Sequence, residues 1–462
     1  MTSFDVAPDF VPGSRWRSCG VHQGAVSYFD TTDLRLLQAG IVVRRTSGGW
    51  RLDAGEHKQR WRDPEGMPPD ELLRLLEPWA PEGVEPVLRL SIVRTEHEIL
   101  DADAILRLAL GDDQVRATPF GITLTTSRWR TLRLERGLAG TEQDLQQAAD
   151  ELVRDGAVLR PGGSSALATA VHGHPRRQPA ATAGQALGEY LRAQCDALAG
   201  GHFAVSQNPF DDEPAAEPPE AVHKTRVATR RLRATLRSFG ELFDACDAAR
   251  LEAELVWFAG VLGPVRDLEV LRSRLAHAVA ELAPELVVGP VGQQIDSFLK
   301  VELHQAATAL LDALAGQRYR ELVGELARWR TAPPFTELAA LPATSLRRQV
   351  DAAEQALAKR LSRASRDPQD ERLHSARKAG KRARYAAEAT APVLGKRAST
   401  LVASAERLQT VLGEHQDAVV TIEVLRRIAD QLAAEGQNTF SYGVLVAEQQ
   451  RRATESAAAA RG

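Results

Sequence analysis

One pattern, written twice, constrains this chain more than its composition does. VHKTRVATRRLRATLR (residues 222–237) returns as LHSARKAGKRARYAAE (373–388). A shift of 151 residues superposes His223 on His374, Arg226 on Arg377, Arg230 on Lys381, Arg231 on Arg382 and Arg233 on Arg384. LGPVRD (Leu262 to Asp267) recurs as LGEHQD (Leu412 to Asp417) at a shift of 150. Two blocks in the same order, at nearly one period, predict a duplicated helical unit in the second half of the chain. What is duplicated is dense in cations, and that points to an anionic partner.

The whole chain is not basic. It carries 58 Lys and Arg against 61 Asp and Glu, a formal charge of −3, so a polyanion surface must come from local segregation of charge. With 462 residues, 44% of them hydrophobic, the chain has room for two or three domains with full cores. Cys19, Cys195 and Cys246 lack CxxC spacing, which argues against a disulfide framework or a cysteine zinc site and fits a reducing, cytoplasmic setting. No run approaches the ~18 apolar residues of a membrane span, and no secretory signal opens the sequence.

Residues 1–171 read as an α+β region dominated by antiparallel strands, a curved sheet or tunnel barrel. Ile41–Arg45, the stretch around Trp50–Leu52 and several later segments alternate apolar with polar residues. Two helices are expected there, over 63–80 and over 141–156, the second entered through Thr141 as its cap. Residues 172–183 have the composition of a linker. An all-α domain follows over 184–457, with a first repeat at about 184–331 and a second at about 344–457. The acid- and proline-rich stretch at 208–220 reads as a loop.

On a helix of 3.6 residues per turn, His223, Arg226, Arg230, Arg233 and Arg237 share about 80° of arc and run about 21 Å. Val222, Ala228, Leu232, Leu236, Phe239 and Phe243 take a core-facing arc, and Lys224 and Arg231 lie on the far flank. In the second copy His374, Arg377, Lys381 and Arg384 form the stripe, with Lys378, Arg382 and Tyr385 beside it and Glu388 where the first copy has Arg237. Like charges at i,i+4 destabilise a helix. Keeping that pattern in both copies implies a compensating anion, and arginine's planar fork suits phosphate. Asp267 and Asp417 read as caps or as internal partners that orient an arginine, ahead of metal ligands. His172 and His174 in the linker are too few for a metal site. Trp50, Trp61, Trp129 and Trp257 read as core or rim residues.

These paired blocks resemble the two halves of a CHAD domain, the conserved-histidine α-helical domain, over residues 184–457. The resemblance implies two antiparallel helical bundles related by a pseudo-twofold, with basic helices around a central groove, and binding of inorganic polyphosphate. Carried over by position, the ligand-contacting residues are His223, Arg226, Arg230, Arg231 and Arg233, then His374, Arg377, Lys381, Arg382 and Arg384. Lys224, Arg237, Lys378 and Tyr385 flank them. YFDTTDLRLLQAGIVVRRTSGGWRL resembles the CYTH, or triphosphate tunnel, family. There Arg44, Arg45 and Arg94 are candidates for a residual anion site. The likeness is degenerate: the opening lacks an ExExK strand, Asp53 stands where a lysine is expected, and Arg133 replaces one acid of the ExE strand that keeps Glu135.

The expectation is therefore a non-enzymatic polyphosphate-binding protein, without metal or other cofactor and without a membrane partner, in the cytoplasm and at polyphosphate granules. Homodimer formation stays open. So do two alternatives, a metal-dependent inorganic triphosphatase and a nucleic-acid binder. Sparse aromatics, 5% of the chain, argue against the latter because base stacking normally supplements charge.

Overall fold

The computed structural model describes residues 2–13, 15–62, 66–121, 126–159, 166–172, 180–207, 220–366 and 370–459. The chain divides into two compact units, Met1–Pro179 and Ala180–Gly462. The division falls within the segment read as a linker. Of that segment, 173–179 (with His174, Arg176 and Arg177) lie outside the described residues, as do 208–219 of the acidic loop.

The first unit is one antiparallel sheet with short helices. Its strands are β1 (Thr2–Val6), β2 (Arg17–Asp30), β3 (Ile41–Thr46), β4 (Gly49–Ala54), β5 (His57–Trp61), β6 (Glu85–Leu100), β7 (Leu106–Pro119), β8 (Ser127–Arg136) and β9 (Val158–Leu159). Their order is β5-β4-β3-β2-β6-β7-β8-β1-β9. Strands β1, β2, β5 and β9 are the ones that local pattern did not announce. The opening TSFDV lacks an ExExK alternation, yet it pairs with both β8 and β9. Strand β2 holds Gly20 and Gly24 and reads as polar, but it pairs with β6 along almost its whole length. Cross-strand neighbours, not local propensity, make it a strand.

The helices of this unit are α1 (Arg35–Gln38), α2 (Asp70–Leu76), α3 (Glu142–Arg154) and α4 (Ala166–His172). Helix α2 is much shorter than the 63–80 expected, because Pro69 occupies its N-cap and the chain turns out again at Glu77. Helix α3 starts where Thr141 predicts. The Asp144 N–H donates to Thr141 Oγ1 at 3.1 Å, and the Thr141 N–H donates back to Asp144 Oδ2 at 2.9 Å. Ala148 and Leu152 then pack on Leu108, Leu110, Leu132 and Leu134. That fixes β7 and β8 with these leucines on the helix side. Ala109, Gly111, Arg133 and Glu135 consequently face the other way.

The second unit is helical: α5 (Ala183–Gln207), α6 (Glu220–Ser238), α7 (Ala245–Glu281), α8 (Val291–Ala315), α9 (Gln317–Thr331), α10 (Arg347–Arg366), α11 (Asp370–Leu394), α12 (Lys396–Ala434) and α13 (Phe440–Ala459). The repeat maps α6 on α11, α7 on α12 and α8 on α13. Helices α7 and α12, of 37 and 39 residues, organise the unit. Each starts beside its own basic helix and ends in a core common to both copies. Leu271, Leu275, Ile295 and Leu299 of the first copy pack there with Leu425, Ile428, Tyr442 and Leu445 of the second. Among the described residues no helix is long and apolar enough to cross a membrane.

Helix α5 meets α6 closely because Gly201 lacks a side chain. A Cβ there would stand 2.1 Å from Thr225 Oγ1. Alanine is the better helix former by about 1 kcal/mol, but forcing a methyl into this contact costs about 1–3 kcal/mol. We therefore expect Gly201→Ala to lower the urea midpoint, and Thr225→Ala to restore part of the loss in the double variant.

Candidate anion-binding site

The basic helices are positioned by their apolar faces. Val222, Ala228, Leu232 and Leu236 of α6 are buried, and Phe239 and Phe243 just beyond it are buried too. On α11 the buried face is mostly small: Ala376, Ala379, Ala383, Ala386 and Ala387. Alanines let backbones approach closely, and α6 packs directly on α11. The two stripes are thereby brought into one electrostatic neighbourhood.

The duplication reaches down to individual contacts. Arg226 Nη1 donates to Asp267 Oδ1 at 2.6 Å and to the Gly263 carbonyl at 3.0 Å. In the other copy Arg377 Nη2 lies 3.9 Å from Asp417 Oδ1, and it sits 3.8 Å from where a Cβ on Gly413 would be. Position for position, one arginine of the first block rests on the glycine and aspartate of the second. Asp267 thereby orients Arg226, and Asp417 stands at ion-pair range of Arg377. His374 Nδ1 lies 3.2 Å from Gln416 Oε1, and Arg266, the residue equivalent to Gln416, stands near His223.

At the centre are Arg230 and Lys381, equivalent positions of the two copies. Both are half-buried, and among the described residues neither has a hydrogen bond or an ion pair. Burial pushes the Lys381 ammonium down to about 7, and Arg377, Arg230 and Arg226 push further in the same direction against the pull of Asp417. Burial also lowers Arg230, with Arg226 and Arg377 adding to it against the opposing pull of Tyr385 and Asp267. Burial with three nearby arginines likewise lowers His223. Four cations from two helices thus crowd one place. Arg274 of α7 joins its edge, 3.2 Å from Glu414 and 3.6 Å from Asp417, and sequence reasoning missed it. The Nε atoms of Arg274 and Arg377 are buried without an acceptor.

Other expected site residues are placed differently. Arg231 Nε donates to Glu388 Oε2 at 2.8 Å, and Arg384 Nε donates to Glu388 Oε1 at 2.7 Å. Arg384 also pairs with Glu406 at 2.9 Å. Both arginines are therefore held by carboxylates and are not free cations. Arg237 turns to Glu252, and Lys224 pairs with Glu220 at 3.0 Å along its own helix. Tyr385 is buried, 5% exposed, with the Arg384 guanidinium over its ring, so it offers no open face to a ligand. Arg233 is half-buried with an unpartnered Nε. Lys378 and Arg382 are exposed, and no hydrogen bond or ion pair among the described residues holds either.

A model of the CHAD domain matches residues 210–426, a span that begins just before α6 and ends within α12, so it holds both copies of both blocks. Uncharacterized proteins from two strains of Mycobacterium tuberculosis are 30% identical over 452 residues, covering 90% of this chain and 84% of their own. The chain belongs to the CHAD-domain family. Solved structures similar to it include PptA from Streptomyces chartreusis, 24% identical with a TM-score of 0.49 over 61% of this chain and 98% of that one. The CHAD domain from the plant Ricinus communis is also 24% identical, with a TM-score of 0.48 over 62% and 92%.

Outside the CHAD domain, the first unit does not gather Arg44, Arg45 and Arg94. Arg44 and Arg45 are adjacent on β3 and point to opposite faces. Arg94 lies six residues beyond Leu88, the residue in line with Arg44 through Tyr28, about 20 Å along the sheet. Arg44 pairs with Asp53 at 2.8 Å, and Arg94 with Asp113 at 2.6 Å; Arg133 binds Asp113 as well. One face of β6, β7 and β8 instead forms a pocket of about 190 Å³, lined by Arg94, Glu96, Glu98, Gly111, Arg133 and Glu135. The alternation Glu96, Glu98 in TEHEIL was legible as a strand with acids on one face, and the sequence reading passed over it. The donor set does not fit a divalent metal. Glu98 is committed to Arg17, and no group of three His, Cys, Asp or Glu among the described residues is placed to hold an ion.

Lys381 makes the CHAD domain's stability depend on pH. Its folded pKa of about 7 is below the unfolded value of 10.5, so between those values the unfolded chain binds more protons. Stability should rise with pH through that window, and the cost is full below it. We expect Lys381→Met to stabilise the ligand-free protein at neutral pH by about 1–2 kcal/mol after allowance for screening, with the gain vanishing near pH ~10. Urea titrations across pH check this.

Proposed function

We propose that the CHAD domain of this protein binds inorganic polyphosphate in the groove between α6 and α11. One observation carries the reading: Arg230 and Lys381, half-buried and within electrostatic range of each other, make no hydrogen bond or ion pair among the described residues, and burial with like charges outweighs the pull of Asp267 and Asp417. Such an arrangement is costly empty and favourable filled, because an anion removes both the desolvation penalty and the mutual repulsion. Arg226, held by Asp267, is a pre-aimed fork for phosphate oxygens, and Arg377, at ion-pair range of Asp417 with its Nε unsatisfied, is its counterpart. His223 and His374 complete each copy. A repeated ligand of identical phosphates suits a repeated protein surface.

The N-terminal unit is read here as a degenerate triphosphate tunnel. Support for degeneracy lies in Arg44, Arg94 and Arg133, whose charges are met by Asp53 and Asp113 within the protein. Association with polyphosphate granules in the cytoplasm follows from the proposed binding.

The test is a titration of the full chain with long-chain polyphosphate in chelator, with RNA of matched charge as competitor. We expect binding without divalent metal, resistance to RNA, and a loss of at least about tenfold in affinity for Arg230→Glu or Lys381→Glu. Affinity should also rise as pH falls from about 8 to about 6, because protonating Lys381 adds a charge at the centre of the groove. Equal displacement by RNA would replace this reading with nucleic-acid binding. Failure of the wild-type chain to bind would end it.

A further inference from the structure

The two copies differ where their stripes end. In α6 the stripe finishes on Arg237; in α11 the equivalent residue is Glu388. Glu388 is inside the stripe, on the same arc as Arg377 and Lys381. Its side chain is 13% exposed, and each oxygen is engaged, one by Arg231 of α6 and one by Arg384 of α11. Helix α5 packs on both α6 and α11, and it brings Tyr190 with a buried, unpartnered hydroxyl into the same electrostatic network.

The reverse contact is missing. Moving the Arg231–Glu388 pair to its repeat equivalents would place Arg382 against Arg237, two cations. Arg382 is exposed without a hydrogen bond or ion pair among the described residues, and Arg237 is drawn off to Glu252. A duplicated surface has thus become one with unlike ends. The carboxylates also differ in kind. Asp267 and Asp417, beside Arg226 and Arg377, are 67% and 42% exposed, so an entering phosphate can share those arginines. Glu388 is enclosed, and its two arginines are occupied.

We propose that Glu388 is a specificity-determining stop that ends the phosphate track. It restricts the site to a short footprint on Arg226, Arg230, Arg377 and Lys381, by standing in for the phosphate that Arg231 would otherwise hold, while Arg384 is shared between Glu388 and Glu406. The inference rests on the polyphosphate reading and adds to it the length and direction of the track. It gives the site one closed end, at Glu388, and one open end, beside Arg382.

Salt dependence reads the footprint. Each phosphate contact on a single-stranded polyanion contributes about 0.7 to the slope of log affinity against log salt. The wild-type chain should give a slope of about −3 with long-chain polyphosphate. Glu388→Gln, which keeps the shape and removes the charge, should steepen it to about −3.5, one added contact from Arg231, since Glu406 still holds Arg384. Glu388→Gln with Arg231→Gln should lose that increase, because the freed arginine is gone. A wild-type slope of about −6 or steeper overturns the proposal, whatever the variants do in folding. So does wild-type binding with an unchanged slope in a folded Glu388→Gln chain. If only Glu388→Gln binds, the stop is real and the polyphosphate reading of the wild type is wrong. If neither chain binds, that reading fails and the stop fails with it.

Discussion

The rest of the helical unit is arranged around two incompletely neutralised cations. Arg230 and Lys381 are drawn into one half-buried place by the packing of α6 on α11, and Asp267 and Asp417 only partly offset the burial and the like charges around them. A fold tolerates that only if other interactions hold the helices in place. Here these are the apolar face of α6, the alanine face of α11, and the enclosed Glu388 that joins Arg231 to Arg384. Stability given up at the centre is recovered around it, a common arrangement at binding sites.

The duplication explains how such a centre is built economically. Each copy contributes a basic helix and a long partner helix, and the contact between them repeats: arginine on glycine and aspartate. The same long helices, α7 and α12, then run on into a shared core. One element therefore both aims an arginine and joins the two copies. Because these are regular helices and not loops, the basic side chains sit on a rigid frame.

Legibility in the sequence followed the range of the interaction. The core arc of α6, the cap at Thr141 and the repeat itself were readable, because helical spacing and capping are local. So was the grouping of the central cations, since periodicity places Arg226 with Arg230, and Arg377 with Lys381, on one stripe of each helix. The destinations of Arg231, Arg384 and Tyr385 were not. They depend on which residues face them across helices, and no spacing rule supplies that. Strand β2 failed for the same reason: its partners, not its composition, extend it. In the first unit, Arg44 and Arg94 looked free because Asp53 and Asp113 are remote in sequence or on another strand. The acids Glu96 and Glu98 were visible, but only the strands around them, β2 on one side and β7 with β8 on the other, make their face a pocket.

The central claim is that Arg230 and Lys381 share one anion, and a crystal structure of the full chain with short-chain polyphosphate tests it most directly. The account predicts phosphate density between α6 and α11, with oxygens within hydrogen-bonding distance of both side chains and the density stopping short of Glu388. Phosphate bound to one helix only, or lodged in the first unit with the groove between α6 and α11 empty, would contradict it.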